Sequence, residues 1–136
     1  VWLAVTVDDF NGKVLRSGED LNELRPLLEA LTPDALLINC SRPEAVTAAV
    51  GTIKSFGFPF GAYANGFEKI SRDFVETSPT VDKLEQRYDL DEKKYADFSI
   101  SWIDQGASIV GGCCEIGPSH ILELSKRISN AGFEII

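Results

Sequence analysis

The chain has 136 residues, 44% of them hydrophobic and 25% charged, the size and make-up of one compact globular domain rather than two. Thirteen basic residues against twenty-one acidic ones leave a net charge of -8, which repels phosphate backbones and anionic lipid and argues against nucleic acid and membrane surfaces as partners. No apolar run approaches the roughly 18 residues needed to cross a bilayer, and Val1 to Val7 lack the basic segment and cleavage pattern of a secretory signal, so a cytoplasmic location is expected.

The chain enters a β-branched apolar run at once, Trp2 to Val7, which predicts a strand. A helical pattern from Asp20 to Leu31 follows, with Pro26 inside it and expected to kink or split it. Ala35 to Cys40 predicts the second strand. Ser41-Arg42-Pro43-Glu44 reads as a capping box with Ser41 as N-cap, opening a helix through Ala45, Val46, Ala49, Val50 and Ile53 that stops at Gly57. Phe60 to Asn65 predicts the third strand, and a long polar connection runs from Gly66 to Leu90. A helix from Asp91 to Gln105 turns Tyr95, Phe98, Trp102 and Ile103 inward. Ala107 to Gly112 predicts the fourth strand, and a helix opening at Pro118 carries Ile121, Leu122, Leu124 and Ile128 before Gly132.

Strands that are apolar throughout, each followed by a helix, predict an α/β fold with a parallel sheet covered on both faces. Four such units build either a doubly wound open sheet or half of a (β/α)8 barrel. A start at Val1 directly before a strand, in a sequence with no methionine, leads us to expect a piece of a longer protein.

Active sites of parallel α/β folds lie at the carboxyl ends of the strands. Cys40 ends the second apolar run, and Cys113-Cys114 follow the fourth. Adjacent residues of a regular strand point to opposite faces, so both members of the vicinal pair reach one ion only if the chain leaves β geometry, which Gly111-Gly112 permits. Three thiolates would leave a tetrahedral zinc with one open position, the pattern of a catalytic site. The same three cysteines also fit simple burial as packed thiols, and their odd number excludes a complete disulfide framework.

Several residues resemble a known family. Ile38-Asn39-Cys40-Ser41 with Pro43-Glu44, then Gly106-Ala107-Ser108-Ile109-Val110-Gly111-Gly112-Cys113-Cys114 with Pro118 and His120-Ile121, resemble the zinc-dependent homocysteine S-methyltransferases. Trp2 to Val7 and Gly12, Leu15, Arg16, Ser17 and Gly18 resemble that family's fifth strand and following loop. The resemblance covers essentially the whole chain, residues 1–136, as the C-terminal half of a (β/α)8 TIM barrel, strands five to eight. It implies that Cys40, Cys113 and Cys114 bind Zn2+, that homocysteine sulfur takes the fourth position, and that a donor methyl passes to it to give methionine. It further implies that acidic groups for the homocysteine amine and part of the donor site lie on the family's first four strands. The isolated chain would then be inactive, and would self-associate or pair with the missing N-terminal half. Tyr63-Ala64-Asn65 departs from the Tyr-Pro-Asn of many members. No motif specifies the methyl donor, whether a sulfonium, a betaine, or methylfolate through cobalamin.

Asn65 ends the third strand, where its amide oxygen fills the open metal position or binds the substrate amino acid, or else the residue caps the strand exit. Asn39 is read as a structural hydrogen-bonding group, and His120, the lone histidine, as a helix-end residue. Asp8, Asp9 and Asn11 read as turn residues, Glu115 and Ser119 as solvated rim, and Trp102 and Phe98 as core. Two alternatives stand beside homocysteine methylation. One is a methyltransferase for another thiol or a selenol; the other is a non-catalytic flavodoxin-like α/β module whose cysteines are packed.

Overall fold

The structure is a computed structural model that describes residues 1–70, 80 and 84–136. Residues 71–79 and 81–83, inside the expected long connection, lie outside the described residues. Four strands form one parallel sheet: β1 (Trp2–Val5), β2 (Ala35–Asn39), β3 (Phe60–Tyr63) and β4 (Ile109–Val110), in the spatial order β1-β2-β3-β4. The register pairs Ala4 with Leu37, Leu37 with Gly61, and Gly61 with Ile109.

The helices are α1 (Leu24–Leu31), α2 (Pro43–Ile53), α3 (Glu92–Asp104) and α4 (Pro118–Asn130). Packing of α2 on β2, β3 and α3, and of α3 on β3, β4 and α4, gathers α2 to α4 into one layer over the sheet. A doubly wound sheet reverses its strand order part-way, so helices cover both faces. Here the order follows the sequence without reversal, as in a barrel wall.

The centre is closed on both sides. Ala35, Leu36, Leu37 and Ile38 of β2 are all buried, as are Val46, Ala49, Val50 and Ile53 of α2. Trp102, fully buried, spans α3 to α2 by donating from Nε1 to Thr47 Oγ1 at 2.8 Å. Gly61 is required here, because a Cβ at that position would lie 2.3 Å from the Ile109 carbonyl oxygen of the next strand.

Local differences from the sequence reading have physical causes. Ser41 does not cap α2. Its hydroxyl donates to Val7 O and accepts from Val7 N, sewing β2 to the end of β1, while Arg42 is the N-cap and Pro43 opens the helix. Pro26 does split its helix: a 3-10 turn at Leu21–Glu23 precedes α1, and the proline falls in α1's first turn, where a missing N–H costs nothing. Asp91 caps α3 by accepting from Lys94 N, and the buried face of that helix is Tyr95, Ala96, Ser99 and Trp102, with Phe98 and Ile103 half-buried. β1 is not covered on both faces: Trp2 and Ala4 are exposed while Leu3 and Val5 are half-buried.

Candidate metal centre

Cys40 follows β2 and takes a left-handed backbone with φ 44°, a conformation that costs a non-glycine residue about 1–2 kcal/mol. Its amide still donates to Tyr63 O of β3, but the next rung is displaced: Asn65 N bonds Ser41 O. The Cys40 carbonyl instead accepts from Asn65 Nδ2 at 2.9 Å and from Arg16 Nη2 at 3.0 Å.

Past β4, Cys113 donates from its amide to Ala64 O, and Ile116 N returns to Cys113 O to close a tight turn. Glu115, the third residue of that turn, has φ 63°. Strand alternation ends here, so Cys113 and Cys114 project to one side. Of the two glycines before them, Gly112 is there for contact: a Cβ would lie 2.3 Å from Ile116 Cγ2. Tyr95 of α3 steadies this exit, its hydroxyl donating to Gly111 O at 2.7 Å with Ala64 O at 3.3 Å.

The three sulfurs meet. Cys40 Sγ lies 3.9 Å from Cys114 Sγ, Cys113 Sγ lies 3.8 Å from Cys114 Sγ, and all three fall within 4.8 Å of one another. Tetrahedral zinc with Zn–S bonds of about 2.3 Å sets its sulfurs about 3.8 Å apart, which the two separations to Cys114 match. No other group of three metal-binding side chains occurs among the described residues. The thiols divide their acidity unequally. Cys113 is held below the usual thiol range by a hydrogen bond from Cys40, whereas Cys40 is pushed far up by that same bond and by burial. Burial raises Cys114.

Asn65 is buried beside them, with Nδ2 3.9 Å from Cys40 Sγ and Oδ1 accepting from Phe67 N at 3.2 Å. Asn39 hydrogen-bonds the Tyr63 side chain across the sheet. His120 accepts from Gly117 N at Nδ1 and faces Leu90 O with Nε2, each at 3.3 Å, which puts its proton on Nε2 and its ring at the start of α4. Asp8 and Asn11 hold turns, accepting from Phe10 N and Asn11 N, and from Lys13 N. Asp9 does more than a turn residue: it is buried and paired with Arg16 at 3.2 Å. A carboxylate and a guanidinium flanking a strand exit are the sequence signal that could have marked the pair.

Residues 1–128 match the family model of homocysteine S-methyltransferases. The chain belongs to that family. A homocysteine S-methyltransferase from Zea mays is 26% identical over 99% of this chain and 38% of its own length. A selenocysteine methyltransferase from Astragalus bisulcatus is 28% identical over 95% of this chain and 36% of its own. The chain thus spans a little over a third of these curated relatives. The crystal structure of the homocysteine methyltransferase MmuM from Escherichia coli in its metallated form superposes with a TM-score of 0.65 at 25% identity, over 93% of this chain and 35% of that one. Its oxidized form gives 0.59 at 26% identity, over 86% and 33%. The chain is therefore four consecutive βα units that match about a third of a TIM-barrel homocysteine methyltransferase.

Proposed function

We propose that this chain forms the thiol-activating half of a zinc-dependent methyltransferase, with Cys40, Cys113 and Cys114 as the zinc ligands and homocysteine as the methyl acceptor. The convergence of the three sulfurs carries this reading, because the two separations to Cys114 match the edge of a zinc–thiolate tetrahedron, all three lie within 4.8 Å, and three ligands leave one corner free. Zinc held there supplies positive charge that lets an incoming thiol lose its proton near neutral pH.

The protein residues set up the rest. Asn65 ties the carboxyl ends of β2 and β3 together through Cys40 O and lies against the Cys40 sulfur, where it orients the ligand and meets the acceptor. Tyr95 fixes the backbone that delivers Cys113. In the reaction the acceptor S–H proton leaves, a bond forms between its sulfur and the donor methyl carbon, and the donor departs with the electrons of the broken bond. Groups that grip the acceptor's amine and the donor are assigned to the N-terminal half of the barrel, which supplies the orientation that makes the transfer fast.

A selenol acceptor is the second reading, favoured by the similarity to selenocysteine methyltransferases from Astragalus bisulcatus and Brassica oleracea. Zinc content of the reduced protein tests the centre: one ion per chain is expected, and none overturns it. Methyl transfer to homocysteine and to selenocysteine, compared in the protein together with the N-terminal half of its barrel, separates the acceptors.

A further inference from the structure

Cys40 is held from outside the sheet. Its carbonyl has left the β2–β3 ladder, since the amide that would meet it, Asn65 N, bonds Ser41 O. One of its two replacement donors is Arg16, on the loop after β1, whose Nη2 also lies 3.4 Å from Val7 O. Arg16 is itself anchored on buried Asp9. That carboxylate accepts from Arg16 Nη2 at 3.2 Å and Arg42 N at 3.1 Å on Oδ1, and from Ile70 N at 2.7 Å on Oδ2. One partly buried ion pair thereby joins the exits of β1 and β2 to the connection after β3, and closes on the backbone of a residue in an unfavourable conformation. Such a conformation persists only where its surroundings over-determine it.

We propose that the Asp9–Arg16 pair positions Cys40, holding its left-handed backbone so that Sγ points at Cys113 and Cys114. The pair touches neither metal nor substrate and acts through Cys40 O. This inference rests on the metal-centre reading above.

The test measures zinc affinity of the reduced protein by chelator competition, the visible ligand-field bands of its cobalt-loaded form, and thermal unfolding of the metal-free form. Arg16→Ala is expected to weaken zinc about tenfold or more, the range for groups that orient a ligand, and to shift the cobalt bands. Arg16→Lys keeps a cation opposite Asp9 and one donor, and is expected to recover part of the affinity. If Arg16→Ala does not fold, Asp9→Asn decides. It leaves an oxygen for the Arg42 amide but removes the charge that holds Arg16, and should give a smaller loss with the same band shift. Unchanged cobalt bands in the deciding variant overturn the proposal, whether affinity stays the same or falls only with metal-free stability. A wild-type protein that takes up neither zinc nor cobalt overturns the metal centre itself, and the positioning role with it.

Discussion

The β2–α2–β3 centre and the β4–α4 end of the molecule contribute to the same sulfur triad from different footings. In the centre, four consecutive residues of β2 are buried and α2 buries six side chains. At the other end β4 has two half-buried residues, and α4 buries only Leu124, leaving Ile121 and Leu122 exposed. Cys40 therefore grows from a packed wall, while Cys113 and Cys114 stand on a turn whose geometry is set by a few polar contacts. Packing fixes where the site is; hydrogen bonds fix which way its sulfurs point.

Removing a sulfur tests that division most severely. Cys40→Ser and Cys114→Ser should each abolish tight zinc binding despite their different footings, as read by chelator competition, because metal affinity at such sites depends on every ligand. Retention of stoichiometric zinc by both variants would move the metal elsewhere. Truncation of apolar side chains should then separate the regions. Trp102→Ala is expected to cost about 3–5 kcal/mol in urea unfolding, and Leu122→Ala to change stability by less than about 0.5 kcal/mol. A large loss at Leu122 would mean that its exposed face is covered in solution.

Tyr95→Phe sharpens the comparison, since it removes one hydroxyl and leaves the ring packed. A loss of about 1 kcal/mol is expected, with weakened zinc binding because Gly111 and the Cys113 turn lose their brace. The smallest effect is on pH. Hydrogen bonds from Arg87 to Glu44 and Asp89 hold both carboxyls below their ordinary values, with Lys94 adding to Asp89. A carboxylate whose folded pKa is lowered stabilises above its unfolded value, and that contribution disappears as pH falls through the folded one. Stability should therefore drop on acidification below the ordinary Glu and Asp values of 4.5 and 3.8, and less steeply in Arg87→Ala. Because both carboxylates are half-exposed, the difference is small.

The strands and the cysteine triad were legible in the sequence because both are written locally. Ala35 to Cys40 reads as a buried parallel strand, of which the structure keeps Ala35–Asn39, and the strand-end rule places Cys40 beside Cys113 and Cys114, whose sulfurs the structure brings together. Ser41 was misread because its hydroxyl serves Val7, a partner 34 residues away that no local pattern reveals. Asp9 looked like a turn residue for the same reason, its partners being Arg16, Arg42 and Ile70. Of the glycine pair expected to permit a departure from β geometry, Gly112 serves it by the close approach of Ile116. At the site the positive φ values fall instead on Cys40 and Glu115, and at Cys40 two hydrogen bonds to its carbonyl rather than a missing side chain sustain the conformation.

The strand order β1-β2-β3-β4 also fixes how the chain can assemble in time. Each new strand docks beside the one just made, so the sheet grows from local units as synthesis proceeds and needs no early strand held in reserve. The sulfur triad obeys the opposite rule. Cys40 and Cys114 stand 74 residues apart, and two of the three corners arrive only after the fourth strand. The wall can grow while the triad is still open, and the triad closes only once the last strand is in place.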